Sequence, residues 1–273
     1  HPPGTGSPHL QPRTIMKMTK MQKMNQLPVH AVMTTKELKQ RGFTNQDLTR
    51  AGKEGVLVHY GYGVWARHVP LCLYEALKTF QKESQSCHIG GRTILHLLLG
   101  APKPERIQLF DHREAGKYPN AFNYSGRIQT VPCRIFNDEY FFDECCGIIE
   151  RDGLYWSTPV RALLESIDMI GNLDDCRIII RAMEQLKEMD MDDLGEVLEC
   201  CQREKVKRWF FYLASKVSRD WAWACTRDSV VRKALSNSIY SLHTPGTYVS
   251  DFRVTVPEEL EREFPRYRPF GFF

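Results

Sequence analysis

Residues 34–53 read Thr34-Thr35-Lys36-Glu37-Leu38-Lys39-Gln40-Arg41-Gly42-Phe43-Thr44-Asn45-Gln46-Asp47-Leu48-Thr49-Arg50-Ala51-Gly52-Lys53. Thr34 and Glu37 stand at the spacing of a capping box, in which each side chain satisfies a backbone N–H at a helix start. A helix is therefore predicted over Lys36 to Arg41, after Thr34 and Thr35, and Gly42 closes it. Beyond the Gly42-Phe43 turn, Thr44 caps a second helix, Asn45 to Lys53, which ends near Gly55. Leu38 on the first helix, and Leu48 and Ala51 on the second, are expected to share a small core with Val32 and Phe43.

Downstream, Val56 to Tyr60 and Val64 to Ala66 read as two short strands around Gly61-Tyr62-Gly63, a turn that tolerates positive φ. Upstream, a lysine-rich helix is expected from Met16 to Leu27, before Pro28. Helix, glycine turn, helix and β-hairpin is the order of a winged helix-turn-helix. In such a fold the second helix turns one face to the core and offers the other to the major groove of DNA. That outer face carries Thr44, Asn45, Gln46, Thr49, Arg50 and Lys53, and the hairpin adds Tyr60, Tyr62 and Arg67. Asp47 is the one acid among them and suits the helix N-terminus.

The charge distribution agrees. The chain has 273 residues and a net charge of +4. Residues 1–70 hold 10 Lys/Arg against 3 Asp/Glu, a balance of +7, while residues 71–273 hold 27 against 30, a balance of −3. A basic excess confined to one end points to an acidic partner there, double-stranded DNA first. A hydrophobic share of 42% with 26% charged residues excludes a wholly disordered or collagen-like chain. No apolar run is long enough for a membrane helix, and no signal-peptide core appears, so a cytoplasmic protein without membrane contact is expected. Nine cysteines with no C-x-x-C spacing argue against a disulfide framework or a zinc ribbon, and fit small buried hydrophobes.

Residues 1–15, rich in Pro and Gly, read as a disordered leader or expression remnant. Residues 16–69 form the winged domain. Residues 70–273 form a larger α+β domain, with short β-like runs at 106–110, 127–136 and 147–156, apolar helical spacing from Val160 to Val217, and a last strand at Phe252 to Val256. Its chemistry is sparse. Gly90-Gly91-Arg92-Thr93 lacks the lysine and spacing of a phosphate loop, and neither H-E-x-x-H nor G-x-S-x-G occurs. Asp138, Glu139, Asp143 and Glu144 read as solvated acids rather than metal ligands. His88 and His96 read as lone, satisfied histidines near one helix face. No cofactor and no metal is expected. Two features carry weight: Arg92, a cation at a helix start that needs a carboxylate or a ligand, and Lys205-Val206-Lys207-Arg208, whose Lys205 and Arg208 are expected on a polar face. The alternatives are a metal-dependent nuclease built around Glu204, Lys205 and Lys207, an enzyme that modifies a partner protein with its site in the second domain, and a winged module used only for protein contacts.

Four stretches together resemble the AbiEi family, the antitoxins of bacterial type IV toxin–antitoxin (abortive infection) systems. They are Val32 to His68, His88 to Thr93, Ser157 to Glu165 (Ser-Thr-Pro-Val-Arg-Ala-Leu-Leu-Glu) and Val206 to Ala214 (Val-Lys-Arg-Trp-Phe-Phe-Tyr-Leu-Ala), in the family's order, within a similarity from Met16 to Pro257. The resemblance implies an N-terminal winged helix-turn-helix followed by a mixed α+β antitoxin domain. It implies a non-enzymatic repressor that binds inverted repeats of its own operator and counters a nucleotidyltransferase toxin, usually without a stable complex; a monomer or weak dimer is expected. It carries DNA reading onto Thr44 to Lys53 and the hairpin at Tyr60 to Arg67. It carries the antitoxin or auxiliary DNA role onto Arg92, Lys205, Lys207 and Arg208. The stretch Asp138 to Cys146 matches no feature of the family.

Overall fold

In the computed structural model the placement of residues 18–29, 31–61, 63–67, 73–84, 87–112, 127–136, 146–227, 240–241 and 246–267 is described. The chain divides into two compact units at the Glu75–Ala76 bond, and residues 1–15 and Tyr62 lie outside the described residues.

The first unit runs α1 (Lys20–Asn25), β1 (Val32–Thr34), α2 (Thr35–Gln40), α3 (Asn45–Lys53), β2 (Val58–Gly61) and β3 (Val64–Ala66). Its three helices each begin in a capping box, formed by Thr19 with Gln22, Thr34 with Glu37, and Thr44 with Asp47. Local hydrogen bonding thus sets where each helix starts, before tertiary packing acts. Gly42 takes φ +89° in the turn between α2 and α3, a conformation that costs other residues free energy. The three strands form an antiparallel sheet in the order β1-β3-β2.

Met24, Leu27, Met33, Leu38, Phe43, Leu48, Ala51 and Leu57 close the core of this unit. Val32, expected in it, is only half-buried. The region forms the short strand β1, in which successive side chains point to opposite faces, so Met33 turns inward in its place. The lysine-rich first helix is shorter than expected, Lys20–Asn25, because Thr19 starts it.

In the second unit, α4 (Leu73–Ser84), across whose first turn the division falls, is followed by β4 (Cys87–Ile89), α5 (Gly91–Leu99), β5 (Ile107–Asp111), β6 (Ile128–Pro132), β7 (Ile148–Arg151) and β8 (Leu154–Ser157). These strands form a mixed five-stranded sheet in the order β6-β5-β4-β8-β7. Helices α6 (Pro159–Asp168), α7 (Leu173–Gln185), α8 (Met191–Cys200), α9 (Glu204–Ala214) and α10 (Asp220–Arg227) follow. A small sheet of β9 (Tyr240–Ser241), β10 (Thr247–Val249) and β11 (Val254–Val256), in the order β10-β11-β9, precedes α11 (Glu258–Glu263).

α5 packs on α6, and α6 on α9, so these helices form the interior of the unit. From Val206 to Ala214, α9 exposes only Lys207 appreciably: Trp209, Phe210, Phe211, Tyr212 and Leu213 are all buried, as is Arg208. A helix apolar nearly all round belongs inside a fold. The whole is an α+β protein. Among the described residues no helix is long and apolar enough to cross a membrane.

Candidate functional site: an exposed cationic helix and a sealed charge cluster

Charge is handled in opposite ways by the two units. In the first, Leu48 and Ala51 fix α3 to the core, and the helix's other face, Asn45, Gln46, Thr49, Arg50 and Lys53, is exposed, with the capping Thr44 beside it. Nine residues at 1.5 Å each give a rod of about 14 Å. The Arg50 side chain is 69% exposed and ion-paired to Glu54 across one helical turn at 2.7 Å. Such a pair contributes little in water, so the guanidinium can exchange Glu54 for a better anion. Asp47 is held at its place by Lys20, which donates to it at 2.7 Å. That bond, followed by those from the Thr44 amide and hydroxyl, lowers the Asp47 carboxyl to about 2. The acid on the helix is therefore already partnered by a cation of the same unit.

The hairpin is braced against α2. Thr35 donates its amide to the Gly63 carbonyl at 2.6 Å and its hydroxyl to the same oxygen at 3.1 Å. Trp65 Nε1 donates to Thr35 Oγ1 at 2.9 Å. Arg67 spends Nη1 on the Leu27 carbonyl at 2.7 Å, which ties β3 to the end of α1 and leaves only its remaining donors for any ligand. The backbone of Tyr60 lies in β2; Tyr62 lies outside the described residues.

The second unit buries its charge. Glu165 and Arg161, one turn apart on α6, are both fully buried, as are His88 on β4 and Ser157 at the end of β8. Glu165 Oε1 accepts from Arg161 Nε at 2.9 Å and pairs with His88 Nε2 at 2.6 Å. Glu165 Oε2 accepts from the Ser157 hydroxyl at 2.7 Å and the Gly91 amide at 2.9 Å. Arg161 donates onward to the Cys146 carbonyl at 2.8 Å and stacks over the Phe136 ring at 4.1 Å. Burial is the largest influence on Glu165 and on its own would raise the carboxyl. Its hydrogen bonds with His88 and Ser157 and the Arg161 charge outweigh burial and hold it down at about 2. Burial pushes His88 below its usual value despite Glu165, so the imidazole is neutral at pH 7 and the standing ion pair is Arg161 with Glu165.

This cluster explains the glycine pair before α5. A Cβ on Gly90 would collide with Glu165 Oε2, and Gly91, at φ +51°, would meet Gln108 Oε1 at 2.6 Å. Ser, His and Glu are the residue types of a hydrolytic triad, but here the carboxylate sits between the hydroxyl and the imidazole, away from solvent. A nucleophile must instead touch its base directly and reach a substrate. The arrangement fastens β4, β8, α5 and α6 together.

His88, read from the sequence as one of two histidines near a helix face, is on a strand. His96 is separate, on α5, with Nδ1 2.7 Å from the Ala101 carbonyl. Sequence reasoning missed the cluster. Its signal was an Arg and a Glu four residues apart inside the run from Val160 to Ile167, whose other residues are apolar save Ser166.

The cations placed in the second unit differ in exposure and in partners. Arg92 is held by Asp175 at 3.2 Å, with 18% of its side chain exposed. Lys205 is exposed and Lys207 half-buried. Arg208, expected on a polar face with Lys205, is instead 1% exposed and spent on Glu204 at 3.0 Å and the Phe252 carbonyl at 2.9 Å. The reason is angular: α9 is surrounded, so the face holding Arg208 meets protein rather than solvent. Glu204, in turn, is engaged structurally. Among the described residues no group of His, Cys, Asp or Glu could hold a metal ion; Asp138, Glu139, Asp143 and Glu144 lie outside them. Of the seven described cysteines all but Cys200 are buried.

A two-unit α+β protein with an exposed cationic helix in one unit and a sealed salt bridge in the other is thus defined by its own geometry. Residues 140–257 match the family model of the AbiEi antitoxin, a transcriptional regulator of type IV toxin–antitoxin systems, and this is the family that the sequence motifs resemble. The crystal structure of the RV2827C protein from Mycobacterium tuberculosis matches with a TM-score of 0.56 at 14% identity, over 86% of this chain and 88% of that one. At that identity the likeness concerns the fold. No curated protein matches the chain.

Proposed function

We propose that this protein is a DNA-binding transcriptional repressor and antitoxin of a type IV toxin–antitoxin system. Its first unit is a winged helix-turn-helix that reads inverted repeats of its own operator; its second unit counters a nucleotidyltransferase toxin without a lasting complex. The observation that carries the DNA-binding part is the solvent-facing row Asn45, Gln46, Thr49, Arg50 and Lys53 on a helix whose opposite face is locked into a core. The order helix, strand, helix, helix, hairpin, with an antiparallel sheet in the order β1-β3-β2, supports it. So does the +7 balance of residues 1–70. The family match, which covers residues 140–257, supports the regulatory and antitoxin parts. Amide side chains suit adenine edges and Arg suits guanine, while Lys53 suits a phosphate.

The protein acts by binding rather than by catalysis, a reading favoured by the sealing of Ser157, His88 and Glu165 from any substrate. In a gel-shift titration with the DNA upstream of its gene, affinity falls steeply between 50 and 200 mM salt, by orders of magnitude if about 6–10 phosphates are contacted. Failure to retard any upstream fragment at low salt would remove the repressor role. Expression beside a neighbouring nucleotidyltransferase gene tests the other half, and no relief of growth arrest would sink it.

A further inference from the structure

A cleft of about 470 Å³ lies in the second unit between β7, the start of α6 and the α7–α8 connection. Its floor is apolar, with Ile149 and Met189 among the lining residues, and its rim carries Glu188, Asp190, Asp193 and Glu196. Among the described residues no Lys or Arg lines it. Asp190 is committed in part, since it caps α8 by accepting from the Asp192 and Asp193 amides.

β7 is the outer strand of the five-stranded sheet and, among the described residues, pairs only with β8. The Thr158 amide donates to the Gly147 carbonyl at 2.8 Å, and Ile149 stands opposite Trp156. Because hydrogen-bonded pairs alternate along an antiparallel ladder, Gly147 and Ile149 bond toward β8, while the N–H and C=O groups of Ile148 and Glu150 point to the open side. Among the described residues that edge is unpaired, and an unpaired strand edge is a template for another strand.

The geometry points to a docking groove for an extended, cationic segment of a partner protein, added alongside β7. Alternate Lys or Arg residues of that segment would lay their aliphatic stems on the apolar floor and their charged heads against the four rim carboxylates. The charge of the rim excludes nucleic acid as the occupant and sets the site apart from the helix face of the first unit. The inference does not rest on the DNA-binding reading, and a failed gel shift leaves it untouched.

The test uses the full chain and a fluorescent hexapeptide of alternating Val and Lys, followed by anisotropy. Saturable binding at least about tenfold tighter than for the same peptide with Glu in place of Lys is expected, since like charge at a rim repels. Asp193→Lys with Glu196→Lys should weaken the Lys peptide by about tenfold or more while lowering the melting temperature by only a few degrees, because both residues are exposed and only Asp193 stands in the first turn of α8. N-methylation of the peptide at alternate amides should abolish binding if a strand is being added. Absence of saturable binding, equal affinity for both peptides, or an unaltered affinity in the double variant would each overturn the proposal. So would concentration-dependent dimerisation that the Lys peptide reverses, since the groove would then serve a second copy of this chain.

Discussion

α3 and α6 are both capped by a threonine, and each has an Arg four residues before a Glu, at the C-cap in α3 and within the helix in α6, yet they put the pair to opposite uses. On α3, Arg50 and Glu54 meet in water, at 69% and 43% side-chain exposure. On α6, Arg161 and Glu165 meet with no exposure at all. The same i,i+4 spacing is weak and exchangeable in the first case, and in the second it cannot be broken without leaving a charge in a medium that does not solvate it. The lesson is that spacing puts two residues on one face of a helix; what the face meets decides whether they bind something else or hold the fold.

The sharpest way to break this contrast is to remove one member of the sealed pair. Glu165→Ala leaves Arg161 uncompensated and strips acceptors from Ser157 and the Gly91 amide, and should destabilise the protein by about 3–5 kcal/mol in chemical denaturation. A loss below about 1 kcal/mol would mean that water reaches the cluster. Within the first unit the comparable injury is apolar. Leu38→Ala empties part of a small core and should cost about 2–5 kcal/mol, and a smaller loss would place Leu38 in a site that can collapse.

Acid loosens the sealed cluster as well. The folded pKa of His88 lies below the usual 6.5, so its contribution is present above pH 6.5 and declines as the pH falls through that value. The carboxyl of Glu165 is held at about 2 against 4.5, so its contribution is present above pH 4.5 and is lost between there and about 2. Denaturation midpoints measured across this range should fall as acid is added, and in the Glu165→Ala protein the lower part of that dependence should be blunted. A midpoint independent of pH from 7 to 3 would contradict the burial of both groups.

The exposed pair predicts an effect on binding with little on folding. Arg50→Ala should weaken operator binding by about 1–3 kcal/mol if it reads a guanine, and Lys53→Ala should lower the salt slope by about 1 with no change in sequence preference. Equal retardation by the Arg50→Ala protein would take that residue off the reading face. The smallest effect is local: Thr44→Ala removes the cap of α3 and should cost about 1 kcal/mol of stability.

Much of the first unit was legible. Thr34 with Glu37, Thr44 with Asp47, and Gly42 between the helices act over three or four residues, so a sequence displays them whole. β1 was not legible, because three residues show no alternation to read, and Val32 was assigned inward where Met33 belongs. In the second unit the helical spacing from Val160 to Val217 marked the interior, and Asp152-Gly153, both at positive φ between β7 and β8, is a hairpin signal that was there to be used. The cluster around Glu165 escaped because His88 lies 77 residues away from it. Arg208 was misplaced for a related reason: a periodicity shows where apolar residues recur, but not that α9 is covered on its remaining faces too.

What the sequence determined by itself is therefore what short-range physics controls: where helices start and stop, which end of the chain is basic, and which residues can stand together on one helical face. Only the tertiary structure decided which of those faces meets water. Desolvation is a property of everything packed around a group, contributed by segments distant along the chain, and it is desolvation that turns one Arg–Glu pair into a surface open to ligands and the other into a fastening.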